Sequence, residues 1–171
     1  FEKYDKLSKA EIERFGGIKL LRKYRKANRI VEYIENNQNI RSIFFDHWKS
    51  VEKINFEIIK NIPTFCLIHS KEINHPKGSG LNKRVLHSLS KIKYIIANSN
   101  FTKNLAIEIG LSEKKIHIIH PGHDEPMKIE NNFEIEADNL FKDSFPKILT
   151  VARLDRRKNH QNVLMCIRNL K

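Results

Sequence analysis

The chain has 171 residues and a mass of 20.2 kDa, with 32 Lys+Arg against 20 Asp+Glu for a formal charge of +12. Hydrophobic residues make up 40% and charged residues 30%, a balance that supports a packed core and excludes a disordered polycation. No apolar run nears the ~18 residues of a membrane span, and the opening Phe-Glu-Lys-Tyr-Asp-Lys has neither the apolar stretch nor the cleavage site of a signal peptide.

The elements then read off in chain order. Leu20, Leu21, Tyr24, Val31 and Ile34 form an amphipathic stripe of helical spacing, and residues 42–46 read as a strand. Val51, Ile54, Ile58 and Ile59 form a second helical stripe, followed by a strand at residues 64–68. Pro76-Lys77-Gly78-Ser79-Gly80 is Gly-rich but stands outside any strand-then-helix fingerprint, and reads as a flexible connection. Residues 94–97 are a strand. Ser99 or Asn100 is placed to cap a helix over 101–109, and Gly110 to end it. A fourth strand covers 116–119. Most of these strands are apolar throughout, as in parallel strands covered on both faces, so the alternation predicts a doubly wound α/β sheet with right-handed crossovers.

From 125 to 143 the chain turns acidic and Asn-rich without a strong period, with Pro126 near the start and Pro146 just beyond. It reads as a linker or long surface loop. A strand at 148–152 then opens a new unit, and the chain stops within the following helix. The expected organisation is a domain at 1–124, a linker at 125–146 and the start of a second domain at 147–171, with both ends reading as cut from a longer protein.

Ligands of an open parallel sheet bind beyond the carboxyl ends of its strands. The polar residues there are His69, Asn98 and Ser99, Gly122 after Pro121, and Arg153. Thr102 lies in the first turn after Ser99. Lys158 follows Arg153 by five residues, and the two cations bracket a strand-to-helix turn able to cradle an anion. Taken singly, each residue has a plainer reading: a solvated cation, a loop histidine, a helix cap. Lys, Ile and Asn crowd the whole chain, so most of the +12 reads as compositional background rather than the mark of a partner. No His or Cys spacing fits a metal site, and no metal is expected. The two cysteines, Cys66 and Cys166, exclude a disulfide framework and point to a reducing compartment.

Combination and order say more. Residues 95–103 contain Asn98-Ser99-Asn100-Phe101-Thr102, and the run 116–124 contains His120-Pro121-Gly122-His123-Asp124. Residues 148–160 follow with Val151-Ala152-Arg153-Leu154 and then Lys158-Asn159. This progression resembles the domain junction of the group 1 glycosyltransferases, glycosyltransferase family 4, of GT-B fold. Phe65-Cys66-Leu67-Ile68-His69 resembles the strand that ends in the family histidine. The resemblance spans about residues 44–170.

It implies a Rossmann-like parallel sheet domain of a GT-B fold plus the first strand-helix unit of a second domain. It also implies a retaining transfer of sugar from a nucleotide-diphospho-sugar to a glycan or lipid-linked acceptor, with no cofactor and no metal. By position, Arg153 and Lys158 would bind the donor diphosphate and His69 would position the donor or polarise a hydroxyl. Asn98, Ser99, Thr102 and Gly122 would line the site. Three departures stand out: no Glu-x7-Glu element follows Asp155, no Gly-rich loop follows the first strand, and Ala152 and Asn159 occupy positions usually held by Gly. The chain is therefore expected to carry one wall of the donor site and to be inactive as it stands.

Lys19, Arg22, Lys23, Arg25, Lys26 and Arg29 lie on or beside the polar face of the first helix. Such a stretch is either a solvated outer face or a peripheral contact with the inner surface of a membrane, for a protein otherwise cytoplasmic. Two rival readings are a GT-B nucleotide-sugar epimerase and a basic binding protein for nucleic acid or anionic membranes. The sparse aromatics in the basic stretches count against nucleic acid as a partner.

Overall fold

Four apolar runs join in a single parallel sheet in the computed structural model, which describes residues 2–125 and 131–169. The chain divides into two units, Phe1–His123 and Asp124–Lys171. In the first, α1 (Glu2–Leu7) and α2 (Lys19–Asn36) precede β1 (Ile43–Phe45), and α3 (Trp48–Val51) and α4 (Phe56–Ile59) lead to β2 (Thr64–Ile68). Next come α5 (Ser70–Ile73), α6 (Gly80–Ser90), β3 (Tyr94–Ala97), α7 (Asn100–Glu108) and β4 (Ile116–Ile118).

The strand order is β1-β2-β3-β4. Register pairs Ile43 with Thr64, Ile68 with Ala97, and Ile95 with Ile116. With the right-handed crossovers of such units, an order that advances in one direction lays the connecting helices on one face. That face is the core: Cys66 and Ile68 of β2 and Ile95 of β3 pack with Trp48, Val51, Ile59, Ile73, Val85 and Leu89, all buried.

The opposite face differs from the expectation of a sheet covered on both sides. Phe44 stacks on Phe65 at 4.5 Å, Phe65 on Tyr94 at 4.9 Å, and Tyr94 tilts against His117 at 5.7 Å. This aromatic row crosses all four strands, and Phe44 is 63% exposed. The all-apolar strands are thus explained by a helix layer on one side and aromatic cross-strand packing on the other.

Several helices depart from the simple stripes. In α2 the residues packed toward the core are Ala27, Ile30 and Ile34, whereas Leu20, Leu21 and Tyr24 are exposed. The stripe from Val51 to Ile59 divides into α3 and α4, because the side chain of Asn55 accepts from the Glu57 amide and starts a new helix. The Gly-rich connection at 76–80 leads into α6, whose cap Ser79 accepts from the Asn82 amide at 3.2 Å. Gly110 does end α7: at φ +109 its amide donates to Ile107 and that of Leu111 to Ala106. That pair of bonds is a Schellman closure, which a side-chain-bearing residue would strain.

In the second unit, α8 (Asn131–Leu140) occupies part of the expected linker, and α9 (His160–Asn169) follows a short 3₁₀ turn at Arg156–Lys158. Residues 148–152 do not form the expected strand. Among the described residues no neighbouring strand supplies a ladder for them, and without one an extended segment leaves its backbone groups to water. Among the described residues of this unit none is buried. Part of the expected linker, residues 126–130, lies outside the described residues.

Candidate functional site

The register of β2 and β3 builds the site. Because Ile68 pairs with Ala97, the residues that follow, His69 and Asn98, emerge side by side at the carboxyl edge. The Asn98 amide nitrogen lies 3.2 Å from His69 Nδ1. Asn98 Oδ1 in turn accepts from the Thr102 hydroxyl at 2.7 Å. Ser99 caps α7: its Oγ accepts from the Thr102 amide at 3.2 Å and lies 3.1 Å from Thr102 Oγ1.

These bonds run in one direction. The Ser99 hydroxyl donates to Thr102, Thr102 to the Asn98 carbonyl oxygen, and the Asn98 N–H to His69 Nδ1. With the Asn98 amide in this orientation, an N–H faces His69 Nδ1, which therefore accepts, and the His69 proton is then on Nε2. His69 is exposed and Thr102 is buried, so an accessible imidazole is oriented from inside the fold. A neutral imidazole that accepts at Nδ1 has a donor, not a base, to offer at Nε2.

A second set of contacts fixes His69 from the other side. The Glu72 carboxylate accepts from the His69 backbone amide at 3.2 Å and lies 3.3 Å from His47 Nε2. His47 Nδ1 accepts from the Lys49 amide at 3.0 Å, capping α3. Its proton is therefore on Nε2, where it donates to Glu72. The Trp48 indole N–H donates to the Glu72 carbonyl at 3.0 Å. Glu72 thereby ties the end of β1 to the end of β2. A cavity of about 370 Å³ opens here, lined by His47, Trp48, Lys49, His69, Glu72 and His75 among others.

His47, Glu72 and Trp48 did not figure among the sequence candidates. The rule that pointed to His69 also points to His47, the second residue beyond β1. Glu72 carried no comparable signal, since its role depends on two other elements. Gly122 is not joined to this hydrogen-bonded set. Its φ lies outside the left-handed region and a Cβ there would meet nothing within 4 Å, so no tight turn requires glycine.

Arg153 and Lys158 belong to the second unit and are exposed. The Arg153 carbonyl lies 3.0 Å from His160 Nε2. Asp155 caps the 3₁₀ turn, its carboxylate accepting from the Arg157 amide at 3.0 Å and pairing with the Arg157 guanidinium at 2.7 Å. Asn159 takes the left-handed conformation at φ 56, at the position expected to depart from Gly. Asn supports that conformation better than most residues.

Along α2, Arg22 donates to the Gly17 carbonyl at 3.1 Å, Arg25 to that of Gly16, and Arg29 pairs with Glu13 at 2.9 Å. Part of the basic stretch is thus occupied by the segment before the helix. Among the described residues no helix is long and apolar enough to cross a membrane, and no group of three or more His, Cys, Asp and Glu could hold a metal ion.

Four parallel strands joined by helices define a domain of Rossmann-like type. The family profile described as Glycosyltransferase Family 4 matches residues 8–125. The chain belongs to that family. His69, Asn98, Ser99, Thr102 and Gly122 fall within the matched stretch, and Arg153 and Lys158 beyond it. No curated protein and no solved structure matches the chain.

Proposed function

We propose that this protein is a retaining glycosyltransferase that moves a sugar from a nucleotide-diphospho-sugar to a glycan or lipid-linked acceptor. The observation that carries the reading is the directed chain from Ser99 through Thr102 and Asn98 to His69. It leaves an Nε2–H on an exposed side chain that lines a cavity, a donor suited to a sugar hydroxyl or to charge that develops on oxygen during transfer. His69 then positions the donor sugar. Arg153 and Lys158 bind the diphosphate, whose negative charge grows as the bond to the sugar breaks. No metal is assigned a role.

Exposed Leu20 and Leu21 beside Lys23 and Lys26 support peripheral contact of α2 with an anionic inner leaflet, in a cytoplasmic setting that suits two free cysteines. Charge reversal at Arg22, Lys23 and Lys26 should then lower flotation with anionic liposomes.

Isothermal titration of the full-length protein with UDP, GDP and ADP tests the donor assignment. Arg153→Ala and Lys158→Ala should each weaken the preferred nucleotide by roughly tenfold or more. Parent-like affinity in both variants ends the assignment.

A further inference from the structure

The His69 cavity has a neighbour. Between the first half of α2, α3 and the start of α6 lies a second cavity of about 750 Å³. Its wall carries Arg22, Lys23, Lys26, Lys49 and Arg84 against one carboxylate, Glu52. Across the chain cations outnumber carboxylates only 32 to 20, so this enrichment exceeds the compositional background.

The charges are not equally available. Arg84 is engaged by Glu52 at 2.6 and 3.0 Å, and Arg22 by the Gly17 carbonyl. None of Lys23, Lys26 and Lys49 has a carboxylate within salt-bridge distance among the described residues. Lys23 lies 5.2 Å over the Tyr24 ring and Lys49 5.5 Å over the Trp48 ring. Three lysines on the wall of one concave surface raise the local positive potential and concentrate anions. A multiply charged anion answers that potential better than a single carboxylate does. Leu20, Ala27 and Leu81 give the same cavity an apolar side.

The two cavities share Lys49 and Leu81 on their walls. A ligand with its anionic end among the lysines therefore has the His69 cavity within reach of its other end. We propose that the basic cavity binds a phosphoryl group of the acceptor, so that the acceptor is a phosphorylated, hydroxyl-bearing molecule. The acceptor role rests on the sugar-transfer reading of the His69 cavity; the anion binding does not.

The test uses glycerol 3-phosphate as a soluble probe, with Arg153→Ala and Lys158→Ala also present so that the second unit does not contribute. Titration calorimetry should show binding, and the His69 side-chain NMR resonances should shift with the same affinity. Lys23→Ala, Lys26→Ala and Lys49→Ala combined should weaken binding by roughly a hundredfold and abolish the shift. All three lysines are exposed, so the core is not disturbed. Glu52→Gln should tighten binding severalfold, a gain that general destabilisation does not produce.

Phosphatidylcholine vesicles with and without phosphatidic acid identify the source of the phosphoryl group. Lysine-dependent binding to the phosphatidic acid vesicles that exceeds binding to vesicles of equally charged phosphatidylserine assigns it to a lipid headgroup, because general contact of α2 with an anionic surface does not distinguish the two. Lysine-dependent binding of the soluble probe alone assigns it to a free phosphate ester. Parent-like binding by the triple-lysine variant overturns the site, as does no binding to either probe. Lysine-dependent binding that leaves His69 unshifted overturns the acceptor role. If the probe behaves as expected while His69→Ala leaves transfer unchanged, the phosphate site stands and the assignment of His69 fails.

Discussion

The amide nitrogen of Asn98 sits 3.2 Å from Nδ1 of His69, although 29 positions separate the two residues. Parallel pairing of Ile68 with Ala97 brings them together. The contact decides the chemistry of the histidine, since an amide can donate to Nδ1 only when Nδ1 carries no proton.

Asn98→Asp should reverse that polarity. A carboxylate accepts and does not donate, so His69 is expected to move its proton from Nε2 to Nδ1. Long-range nitrogen–proton correlation spectra report the tautomer directly. Transfer should fall by roughly ten- to a hundredfold, the scale of losing one aimed donor. An unchanged tautomer in the variant contradicts the directed chain.

Thr102 is 1% exposed and its hydroxyl is the middle link. Thr102→Val keeps the shape but removes the donor to Asn98 Oδ1 and the acceptor facing Ser99. The expected cost is about 1–3 kcal/mol, the penalty for leaving partly buried polar groups unpaired. Thr102→Ser restores the hydroxyl and should recover most of the loss. Urea midpoints of the three proteins decide the matter; a Thr102→Val protein as stable as the parent, with Thr102→Ser the weaker of the two, points to packing instead.

The strands β2 and β3 were legible residue for residue, because each is a short apolar run bounded by polar residues. Knowing where they end marks His69 and Asn98 as residues of the carboxyl edge, but that the two are neighbours follows from the pairing of Ile68 with Ala97, which no single strand reveals. The rest of the site could not be read. Glu72 contacts His47 and the His69 backbone only because two strand ends and two helix starts converge. The start of α6 was hidden by loop-forming Gly78, Ser79 and Gly80. The acidic, weakly periodic stretch containing α8 concealed a helix with Phe133, Ile135 and Leu140 exposed. Apolar strands likewise do not tell a helix-covered face from an aromatic row such as Phe44, Phe65 and Tyr94.

Glu52 links the basic cavity to acid stability. Its hydrogen bond with Arg84 is the main influence holding its carboxyl below the ordinary 4.5; burial opposes this, and the charges of Arg84, Lys23 and Lys53 assist. A carboxylate with a lowered folded pKa stabilises the fold fully above its unfolded value. That contribution is lost as pH falls through the lowered folded value. Denaturant midpoints measured across the acid range should therefore drop less steeply below pH 4.5 in Glu52→Gln than in the parent. Parallel acid limbs in the two proteins contradict the assignment.

Cys66 titrates in the opposite sense. Burial pushes its thiol up from 9.0 to about 12, with the charges of Glu72 and Asp46 adding to the shift. It is fully enclosed between sheet and helices, and its Sγ contacts the Leu67 carbonyl at 3.6 Å. Cys166, on α9, is exposed. A thiol reagent at mildly alkaline pH should accordingly label Cys166 in the native protein and reach Cys66 only after denaturant is added, since the thiolate is the reacting form. For an acid whose folded pKa is raised, the stabilisation is complete below the unfolded value and fades as pH rises through the folded one. Alkaline unfolding should therefore draw on Cys66 between pH 9.0 and about 12. Cys66→Ala should be less stable than the parent at neutral pH by about 1 kcal/mol, from the lost sulfur packing. It should also lose stability more slowly above pH 9.0. Rapid labelling of both cysteines in the native protein would contradict the enclosed position of Cys66 on the sheet that carries His69.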